Sequence, residues 1–486
     1  MILKGYLFSL LYAFLCLGLG FGLYKLSVDK KITRKIVHIL VGAEWIILYH
    51  FVGASVHFLI ICLLFLLVLF VSYKRGLMPM ISSEGDNSPG TVYYALAMSV
   101  MAIICLIIPD MMLPFGIGVF CTSLGDGLAG IVGYLLHPDK TPNIRIFGNK
   151  TLFGTVSIFV ASLGVALAFN SFFHLGLLIW QIFVIALFAS ELELVSGMGL
   201  DNITVTLGPS FLAYSFIRIP GVENYILPIL LTPVIILFAS KKQALTISGI
   251  IAALAVDIAI SIPLRNFGFC ILLAFFAGGV AIDKIKKAAL KSKQNVAEPI
   301  EKRGSRRDHI QVLANALVAS VCAVLHLVFG GKVFVIAFVA SLAEAFADTA
   351  ASGIGALSGR AYDIFRRRPC QVGLSGGMSV LGTLASLVAA ILIGLLALGF
   401  GEINPAEMII ITIAAVLGAF FDSLLGSLAQ VKYKCTVCDS IVEREQHCGT
   451  ATVRHGGLSF VNNDVVNLVS TLFAAVAAAA IYLFCN

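Results

Sequence analysis

A series of apolar runs constrains the fold of this chain more than any other feature. Each run is about 17–25 residues long, the length that spans a bilayer as a helix. The 486-residue chain is 59% hydrophobic and 12% charged, whereas a soluble domain is about 45–50% apolar and about 25% charged. The runs predict an all-α, polytopic integral membrane protein with about 14–16 transmembrane helices in two bundles. They begin near residues 6, 37, 55, 91, 112, 151, 173, 203, 225, 243, 265, 310, 332, 377, 407 and 464.

Positive charge is concentrated in a few loops between these runs. If the weak segment 203–218 also crosses, all of the basic loops lie on one side, which the positive-inside rule assigns to the cytoplasm. We therefore expect a multi-pass protein whose polar groups face the cytoplasm, and no nucleic-acid partner. The basic loops are Lys25–Lys35, Lys74–Arg75, Lys140–Lys150, Lys241–Lys242, Lys284–Arg307, Arg360–Arg368 and Lys432–Lys434.

Asp126 interrupts one of the apolar runs, in the stretch "CTSLGDGLAGIVG". A carboxylate inside a membrane helix is costly, and this predicts a functional role. The next helix starts with Lys150 and Thr151, and a later loop carries Asp201 and Asn202. We expect Lys150 to act together with Asp126.

Cationic residues and the start of another helix lie before Asp126 in the sequence. Arg34 and Lys35 share a helical face with His38 in "TRKIVHILVG", because residues three and four apart are neighbours on a helix. Their alternative role is to anchor the topology. Thr91 follows a glycine at the start of a helix, where free backbone N–H groups favour anions.

Phosphoryl transfer uses this kind of inventory: carboxylates for Mg²⁺, and cations and N–H groups for phosphate. The sequence has no GxxxxGK[ST] motif, which argues against an ordinary P-loop kinase. The motifs RKxxHxxxG, SxGTxYY, GDGxAxxxG, NKTxxGT and DN in residues 25–225 together resemble the phytol kinase and dolichol kinase family, which is related to phosphatidate cytidylyltransferases.

This resemblance implies a kinase that uses a nucleoside triphosphate, often CTP, to phosphorylate a long isoprenoid alcohol. Carried over by motif, Asp126 is the metal or nucleotide residue, Lys150 is a phosphate ligand, and Asp201 is a further catalytic residue. The implied substrate- and nucleotide-binding residues are Arg34, Lys35, His38, Thr91, Gly125, Gly127, Asn149, Thr151 and Asn202.

The second half resembles the membrane family that includes phytyl-phosphate kinase. The stretches that carry this resemblance are "AEAFADTAASGIGALS", "VGLSGGMSVLGTLAS", "AFFDSLLGSLAQ" and "CGTATVRHGGLSFVNNDVVNLVS". We therefore predict a fused chain with a prenol-kinase-like domain at 1–240 and a prenyl-phosphate-kinase-like domain at 241–486. A basic cytoplasmic loop at 284–309 belongs to the second domain.

Carboxylates in otherwise apolar or small-residue helices are the candidates in the second half. We expect Asp348 and Asp422 to be catalytic and Asp348 and Asp464 to bind Mg²⁺. The family usually has a glutamate where this chain has Gly353, and Glu344 is a candidate to replace it. Candidate phosphate- or nucleotide-binding residues are Ser375, Gly376, Gly377, Asn463 and Asn467. For the Ser-Gly-Gly turn, an ordinary helix start is the alternative.

A loop near the C-terminus carries four soft metal ligands, Cys435, Cys438, His447 and Cys448. A C-x₂-C pair of this type is common in zinc sites. The sequence leaves two interpretations open, a structural Zn²⁺ and reduced cytosolic thiols.

The two halves share a spacing pattern. Asp126 and Asp348 are each followed by alanine and glycine at the same offsets, and Thr151-x-x-Gly-Thr in the first half corresponds to Ser379-x-x-Gly-Thr in the second. An Asp-polar pair closes each series, at Asp201 and at Asp422. Our hypothesis is that both halves use one type of phosphate and metal site.

The sequence thus predicts a two-step enzyme that phosphorylates an isoprenoid alcohol and then its monophosphate. It would use Mg²⁺ and CTP or ATP, and would bind membrane lipid. The alternatives are an enzyme that makes a CDP-activated lipid, as phosphatidate cytidylyltransferase does, and a transporter of lipid phosphates. The prenol chain length and the oligomeric state do not follow from the sequence.

Overall fold

The computed structural model divides the chain into two compact units, Met1–Glu223 and Asn224–Asn486. The structure describes residues 1–75, 89–136, 145–147, 150–197, 199–241, 243–292 and 306–485. The predicted functional boundary at 240/241 stays a prediction.

The first unit is a helical bundle with one short hairpin. Its helices form from the long apolar runs of the sequence. Side-chain caps define where some of them begin: Asp29 accepts a hydrogen bond from the Lys31 N–H, and Thr151 accepts one from the Gly154 N–H. Such caps satisfy N–H groups that have no partner inside the helix. The elements are α1 (Ile2–Lys25), α2 (Lys30–Gly42), α3 (Glu44–Ile47), α4 (Val56–Arg75), α5 (Gly90–Ile107), α6 (Met112–Phe120), α7 (Gly127–Leu135), β1 (Arg145–Phe147), β2 (Lys150–Thr151), α8 (Leu152–Phe173), α9 (Ile179–Val195) and α10 (Asp201–Arg218).

A π-helical turn, Cys121–Asp126, joins α6 to α7 within one membrane-length segment, Pro109–Leu135. Wider turns of this kind inside α-helices are frequent at functional sites. Asp126 ends the turn with only 5% of its surface exposed. The helix predicted around this aspartate is therefore present, with a local irregularity that the sequence did not reveal.

The second unit is built around one central helix, α14 (Lys332–Gly355). This helix packs against α12, α13, α15, α16 and α17, and alanines on its surface allow close approach. The helix α12 bends at Arg265, whose φ of 56° and ψ of −146° are not helical. The helices are α11 (Ile226–Lys241), α12 (Ile247–Ser292), α13 (His309–Phe329), α14 (Lys332–Gly355), α15 (Val380–Gly399), α16 (Pro405–Leu428) and α17 (Asn463–Cys485).

The second unit also contains short β-strands between its helices. A hairpin is formed by β3 (Ala361–Asp363) and β4 (Arg368–Cys370). A three-stranded antiparallel sheet has the order β6 (Ile441–Val442), β5 (Lys432–Lys434) and β9 (Val453–Gly456), and a second hairpin pairs β7 (Gln446–His447) with β8 (Thr450–Ala451). Strands of two to four residues are too short to show an alternating pattern, so the sequence did not predict them.

The fold class is confirmed, because the described residues include 13 helices long and apolar enough to cross a membrane. The predicted count was higher for identifiable reasons. The 17-residue α9 and the polar α10 fall outside the 13. The segment Ile247–Ala289 counts once, although Arg265 divides it into two helical stretches that correspond to the runs predicted to begin near 243 and 265.

Candidate active site

A cavity of about 790 Å³ opens in the first unit. Its wall has two chemically different parts. Cations and carboxylates from α2, the π turn, β2, α9 and α10 form one part, and apolar side chains from α1, α2, α4 and α5 form the other, including Leu17, Val37, Phe65, Leu69 and Met98. A cavity with this division can hold a molecule that has a polar head and a hydrocarbon tail.

Asp126 is held by a cation from α2. The Lys35 ammonium donates to Asp126 Oδ2 over 2.7 Å and to the Asp126 carbonyl oxygen over 3.2 Å. Gly130 makes room for this, because a Cβ there would lie 2.3 Å from Cε of Lys35. The expected Asp126–Lys150 partnership therefore takes a different form: Lys35 makes the direct ion pair.

Lys150 instead bridges two other carboxylates. Its ammonium group contacts Glu193, and it donates to Asp201 Oδ2 over 3.1 Å. Burial alone would lower the pKa of Lys150, but these two carboxylates outweigh it and raise that pKa above its usual value. Asn202 supports the arrangement by donating to Asp201 Oδ1 over 3.2 Å. Lys150 thus stays charged between the two carboxylates.

Three carboxylates meet in this part of the wall. One oxygen each from Asp126, Glu193 and Asp201 lies within 4.8 Å of the others. Glu193 Oε2 is buried and has no hydrogen-bond partner among the described residues. Carboxylate oxygens are the ligands that Mg²⁺ prefers, and a buried carboxylate oxygen without a partner is costly unless a ligand satisfies it. The donor set therefore fits a divalent cation.

Two further buried polar atoms without partners lie where the polar wall meets the apolar wall. The rings of His38 and Tyr94 are in edge contact, with centroids 5.3 Å apart. His38 Nε2 is 3.7 Å from Asp126 Oδ2, which is beyond hydrogen-bond range. Within the described part of the chain, neither His38 Nε2 nor the Tyr94 hydroxyl has a hydrogen-bond partner. Both can therefore take a hydrogen bond from a ligand hydroxyl.

The remaining predicted residues of the first unit divide into two groups. Arg34, Thr91, Thr151 and Asn202 line the cavity with the residues above. Gly125 and Gly127 do not line it: a Cβ at Gly125 would lie 2.9 Å from Ile158, and one at Gly127 would lie 2.3 Å from Ile39. These two glycines therefore allow close helix packing. Asn149 lies outside the described residues.

The structure adds Glu193 and Tyr94 to the predicted site. Glu193 was missed although its signal is visible, a glutamate in the apolar run "QIFVIALFASELELV". An acidic residue in such a run is a functional candidate by default. Tyr94 is the last residue of the SxGTxYY motif, but tyrosine is ordinary at the end of a membrane helix, so the motif did not single it out as a site residue.

A second, smaller cavity of about 80 Å³ lies in the second unit. Asp348 on α14, Asp422 on α16 and the turn Ser375–Gly377 line it together. The predicted catalytic aspartates and the predicted phosphate-binding turn are thus brought to one place, although they are far apart in the sequence.

The Ser375–Gly377 turn is held from the small sheet. The Ser375 N–H donates to Glu443 Oε1 over 2.6 Å, and the Lys432 ammonium donates to the Ser375 carbonyl over 3.0 Å. Gly376 has a φ of +89°, and a Cβ there would lie 2.5 Å from the Ser427 backbone nitrogen. Only glycine fits this position without strain.

Other predicted residues of the second unit have mixed positions. Glu344 is buried on α14, within electrostatic range of Asp348 and Asp422. Gly353 is packed so closely that a Cβ would lie 2.2 Å from Ile282 Cγ2, which leaves no room for the family's glutamate in this conformation.

The polar start of α17 lies outside the small cavity. Asn467 donates to Asn315 on α13 over 3.4 Å, and Asn463 lies 3.5 Å from Asn467. Asp464 is buried. No cluster of three metal ligands among the described residues includes Asp348 or Asp464, so their magnesium role stays a prediction.

The spacing shared by the two halves has a structural counterpart. Thr151 caps α8 by accepting from the Gly154 N–H over 3.3 Å, and Ser379 caps α15 by accepting from the Gly382 N–H over 3.1 Å. Both caps stand at the entrance of a helix that packs on the aspartate-bearing helix, α7 with its preceding turn in one unit and α14 in the other.

The contacts across these two helix pairs also correspond. A Cβ at Gly154 would lie 3.2 Å from the Ala129 carbonyl oxygen, and one at Gly382 would lie 2.8 Å from the Ala351 carbonyl oxygen. In each case the alanine is three residues after the aspartate. Both units therefore build the same local arrangement of aspartate, alanine, glycine and capping hydroxyl.

The four predicted zinc ligands also come together in the described residues. One ligand atom each from Cys435, Cys438, His447 and Cys448 lies within 4.8 Å of the others.

Comparison with known proteins places the chain among membrane proteins of related sequence. It is 28% identical over 240 residues to "Protein VTE6, chloroplastic" of Arabidopsis thaliana, and the match covers 48% of this chain and 64% of that relative. It is 31% identical over 205 residues to "Phytol kinase" of Synechocystis, which covers 40% of this chain and 83% of the relative.

A third relative is "Farnesol kinase, chloroplastic" of Arabidopsis thaliana, which is 28% identical to this chain over 218 residues. The match covers 40% of this chain and 69% of that protein. No solved structure matches the chain significantly. Residues 230–475 match the family described as integral membrane protein DUF92. Since this match extends over half of the chain, the protein belongs to the DUF92 family of integral membrane proteins.

Proposed function

We propose that this protein is a membrane-embedded prenol kinase whose first unit transfers the γ-phosphoryl group of a nucleoside triphosphate to an isoprenoid alcohol. The observation that carries the proposal is the divided cavity of the first unit. Its carboxylates and cations suit the phosphate groups, and its apolar wall suits the hydrocarbon chain. Its volume of about 790 Å³ lies within the ~300–1,000 Å³ range of small-molecule sites. The names of two relatives, phytol kinase and farnesol kinase, support the same substrate class.

The substrate hydroxyl belongs at the border between the two walls. His38 Nε2 and the Tyr94 hydroxyl are buried there without partners in the described structure. His38 accepts the hydrogen bond of the alcohol and receives its proton as the oxygen attacks the γ-phosphorus. A bond forms between the alcohol oxygen and the γ-phosphorus, and the bond from the γ-phosphorus to the β–γ bridging oxygen breaks. The products are the prenyl monophosphate and the nucleoside diphosphate.

The cations and carboxylates have separate tasks in this reaction. Asp126, Glu193 and Asp201 would hold Mg²⁺, which neutralises charge on the triphosphate when bound. Lys35 and Lys150 are fixed by these carboxylates and offset the negative charge of the transferring group. Phosphoryl transfer needs little covalent help from protein, so positioning and charge supply most of the acceleration.

We further propose that the second unit phosphorylates the prenyl monophosphate to the diphosphate. The local arrangement around Asp348 matches that around Asp126, and Asp422 and the Ser375 turn share its cavity. At about 80 Å³ this cavity holds only a few water molecules. The Ser375 turn or a neighbouring helix must therefore move before substrate enters. CTP or ATP as donor, and entry of the donor from the cytoplasm, are parts of this proposal.

Label transfer tests the proposal directly. The purified full-length chain in lipid nanodiscs is incubated with Mg²⁺, CTP or ATP labelled at the γ-phosphate, and farnesol, geranylgeraniol or phytol. We expect label in a prenyl phosphate with one of the two donors. In a parallel reaction with CTP labelled at the α-phosphate, label in the lipid product and release of pyrophosphate would instead identify a cytidylyltransferase. Movement of a lipid phosphate across the membrane of proteoliposomes, without any label transfer, would identify a transporter.

The two steps are separated by variants. An Asp126→Asn variant is expected to lose the monophosphate product but still convert added prenyl monophosphate to diphosphate. An Asp348→Asn variant is expected to accumulate the monophosphate. If Asp348→Asn leaves the diphosphate yield unchanged, the second unit has no catalytic role.

A further inference from the structure

The cysteine cluster lies after β5 and around the turn between β7 and β8 in the second unit, and it contains none of the proposed catalytic residues. Cys438 Sγ and Cys448 Sγ are each 3.3 Å from His447 Nδ1. Cys435 is fully buried, and all of the described cysteines are free thiols rather than disulfides. A tetrahedral zinc site with bonds of about 2.0–2.3 Å places its ligand atoms roughly 3.5–3.8 Å apart. The cluster already approaches this spacing.

Local backbone geometry brings these four side chains together. Cys435 follows β5, and the Val437 N–H donates to Cys435 Sγ over 3.4 Å. His447 ends β7, and the two-residue turn Cys448–Gly449 leads into β8. Both turn residues have positive φ, 50° and 72°. Such a turn normally carries Asn-Gly, so a cysteine there is strained.

We propose that Cys435, Cys438, His447 and Cys448 bind one structural Zn²⁺ in a closed Cys₃His site. Neighbouring positions usually cannot both ligate one ion, but the positive φ of Cys448 turns its side chain toward the same point as His447. With all four positions filled by protein there is no open coordination site for substrate. The metal therefore stabilises structure and does not take part in the phosphoryl transfer.

The structure also indicates what this metal stabilises. The cysteine-bearing segments join β5 to β6 and β7 to β8, while Lys432 lies on β5 and Glu443 directly follows β6. These two residues hold the Ser375 backbone on both sides, at 3.0 Å and 2.6 Å. The zinc site thus fixes the sheet that positions the Ser375–Gly377 turn of the second cavity.

Metal content is the test, and it does not depend on catalytic activity. The full-length chain is purified without chelator, and zinc per chain is measured by inductively coupled plasma mass spectrometry. We expect one zinc per chain in the wild type and in Cys485→Ser, a control at an exposed cysteine outside the cluster. We expect less than a tenth of that in Cys438→Ser, whose exposed position makes misfolding a minor risk.

Cobalt substitution supplies a second readout on the wild-type chain. After removal of zinc with a chelator, Co²⁺ should give the intense visible absorption of tetrahedral thiolate coordination, and one equivalent of Zn²⁺ should abolish it. Trypsin should cleave near Arg444 and Arg454 at least tenfold faster in the metal-free protein. A wild-type chain that contains no zinc and binds no Co²⁺, or a Cys438→Ser variant that keeps full zinc, overturns the proposal.

Discussion

Replacement of Glu193 by glutamine tests the carboxylate cluster most sharply, because this residue came from the structure and not from a sequence motif. The substitution keeps the shape of the side chain and removes one of three negative charges. Lys150 keeps its ion pair with Asp201 at 3.1 Å. The variant therefore changes the charge presented to a divalent cation more than it changes the packing.

The size of the effect follows from the number of carboxylates that one cation can contact. The three oxygens lie within 4.8 Å of one another, so a bound cation loses one of three charged ligands in the variant. The amide oxygen remains a weak ligand, so we take about 2 kcal/mol as the loss, the size of one interaction with a charged group. This corresponds to an increase of about 30-fold in the Mg²⁺ concentration at half-maximal activity.

The assay is monophosphate formation by the purified chain over a range of Mg²⁺ concentrations. Glu191→Gln is the matched control, because Glu191 lies two residues away on the same helix and does not line the cavity. We expect the control to behave as the wild type. The metal-free melting temperature of the Glu193→Gln variant should change by no more than about 4 °C, which is about 1 kcal/mol for a unit of this size. Equal Mg²⁺ dependence in the two variants would refute the assignment of Glu193 to the metal site.

Three further changes test other parts of the account. Lys35→Met removes the cation that holds the catalytic aspartate and should lower kcat/KM for the alcohol at least 100-fold, measured by label transfer. Gly376→Ala forces a Cβ against Ser427, 2.5 Å from its backbone nitrogen, and should lower diphosphate formation at least tenfold, with monophosphate formation unchanged. Leu69→Trp fills the apolar wall and should reduce activity on phytol more than on farnesol, measured as the ratio of the two kcat/KM values.

Each of the last two changes has a matched control. Gly373 has the same φ of +89° as Gly376, but a Cβ at this position would meet no atom within 4 Å, so Gly373→Ala carries the backbone strain without the collision. Leu67→Trp lies on the same helix as Leu69, but Leu67 is 59% exposed, and this change should not alter the chain-length preference. If each variant and its control behave alike, the turn and the wall have been assigned incorrectly.

The helices were the predictable part of this protein. A membrane helix requires a long apolar run because its backbone must satisfy its own hydrogen bonds, and such runs are visible in one sequence. The π turn before Asp126 and the bend at Arg265 depend on packing against neighbouring helices. They leave no comparable signal in the sequence.

Several residues of the candidate site could be picked out from the sequence, but the contacts between them could not. An aspartate in an apolar helix, such as Asp126, indicates a function without any structure. Which cation pairs with it depends on long-range contacts, so Lys35 rather than Lys150 emerged only from the structure. Glu193 could have been found by the same reasoning as Asp126, since both are acidic residues in apolar segments.

The central claim is that the first unit transfers phosphate to a prenol at the Asp126–Glu193–Asp201 cluster. The most direct measurement is transfer of γ-phosphate label to geranylgeraniol by the purified chain, with Glu193→Gln and Glu191→Gln assayed beside the wild type. We expect labelled monophosphate from the wild type and Glu191→Gln, and a product from Glu193→Gln that is restored by high Mg²⁺. Absence of labelled lipid from the folded wild-type chain with both CTP and ATP would contradict the claim.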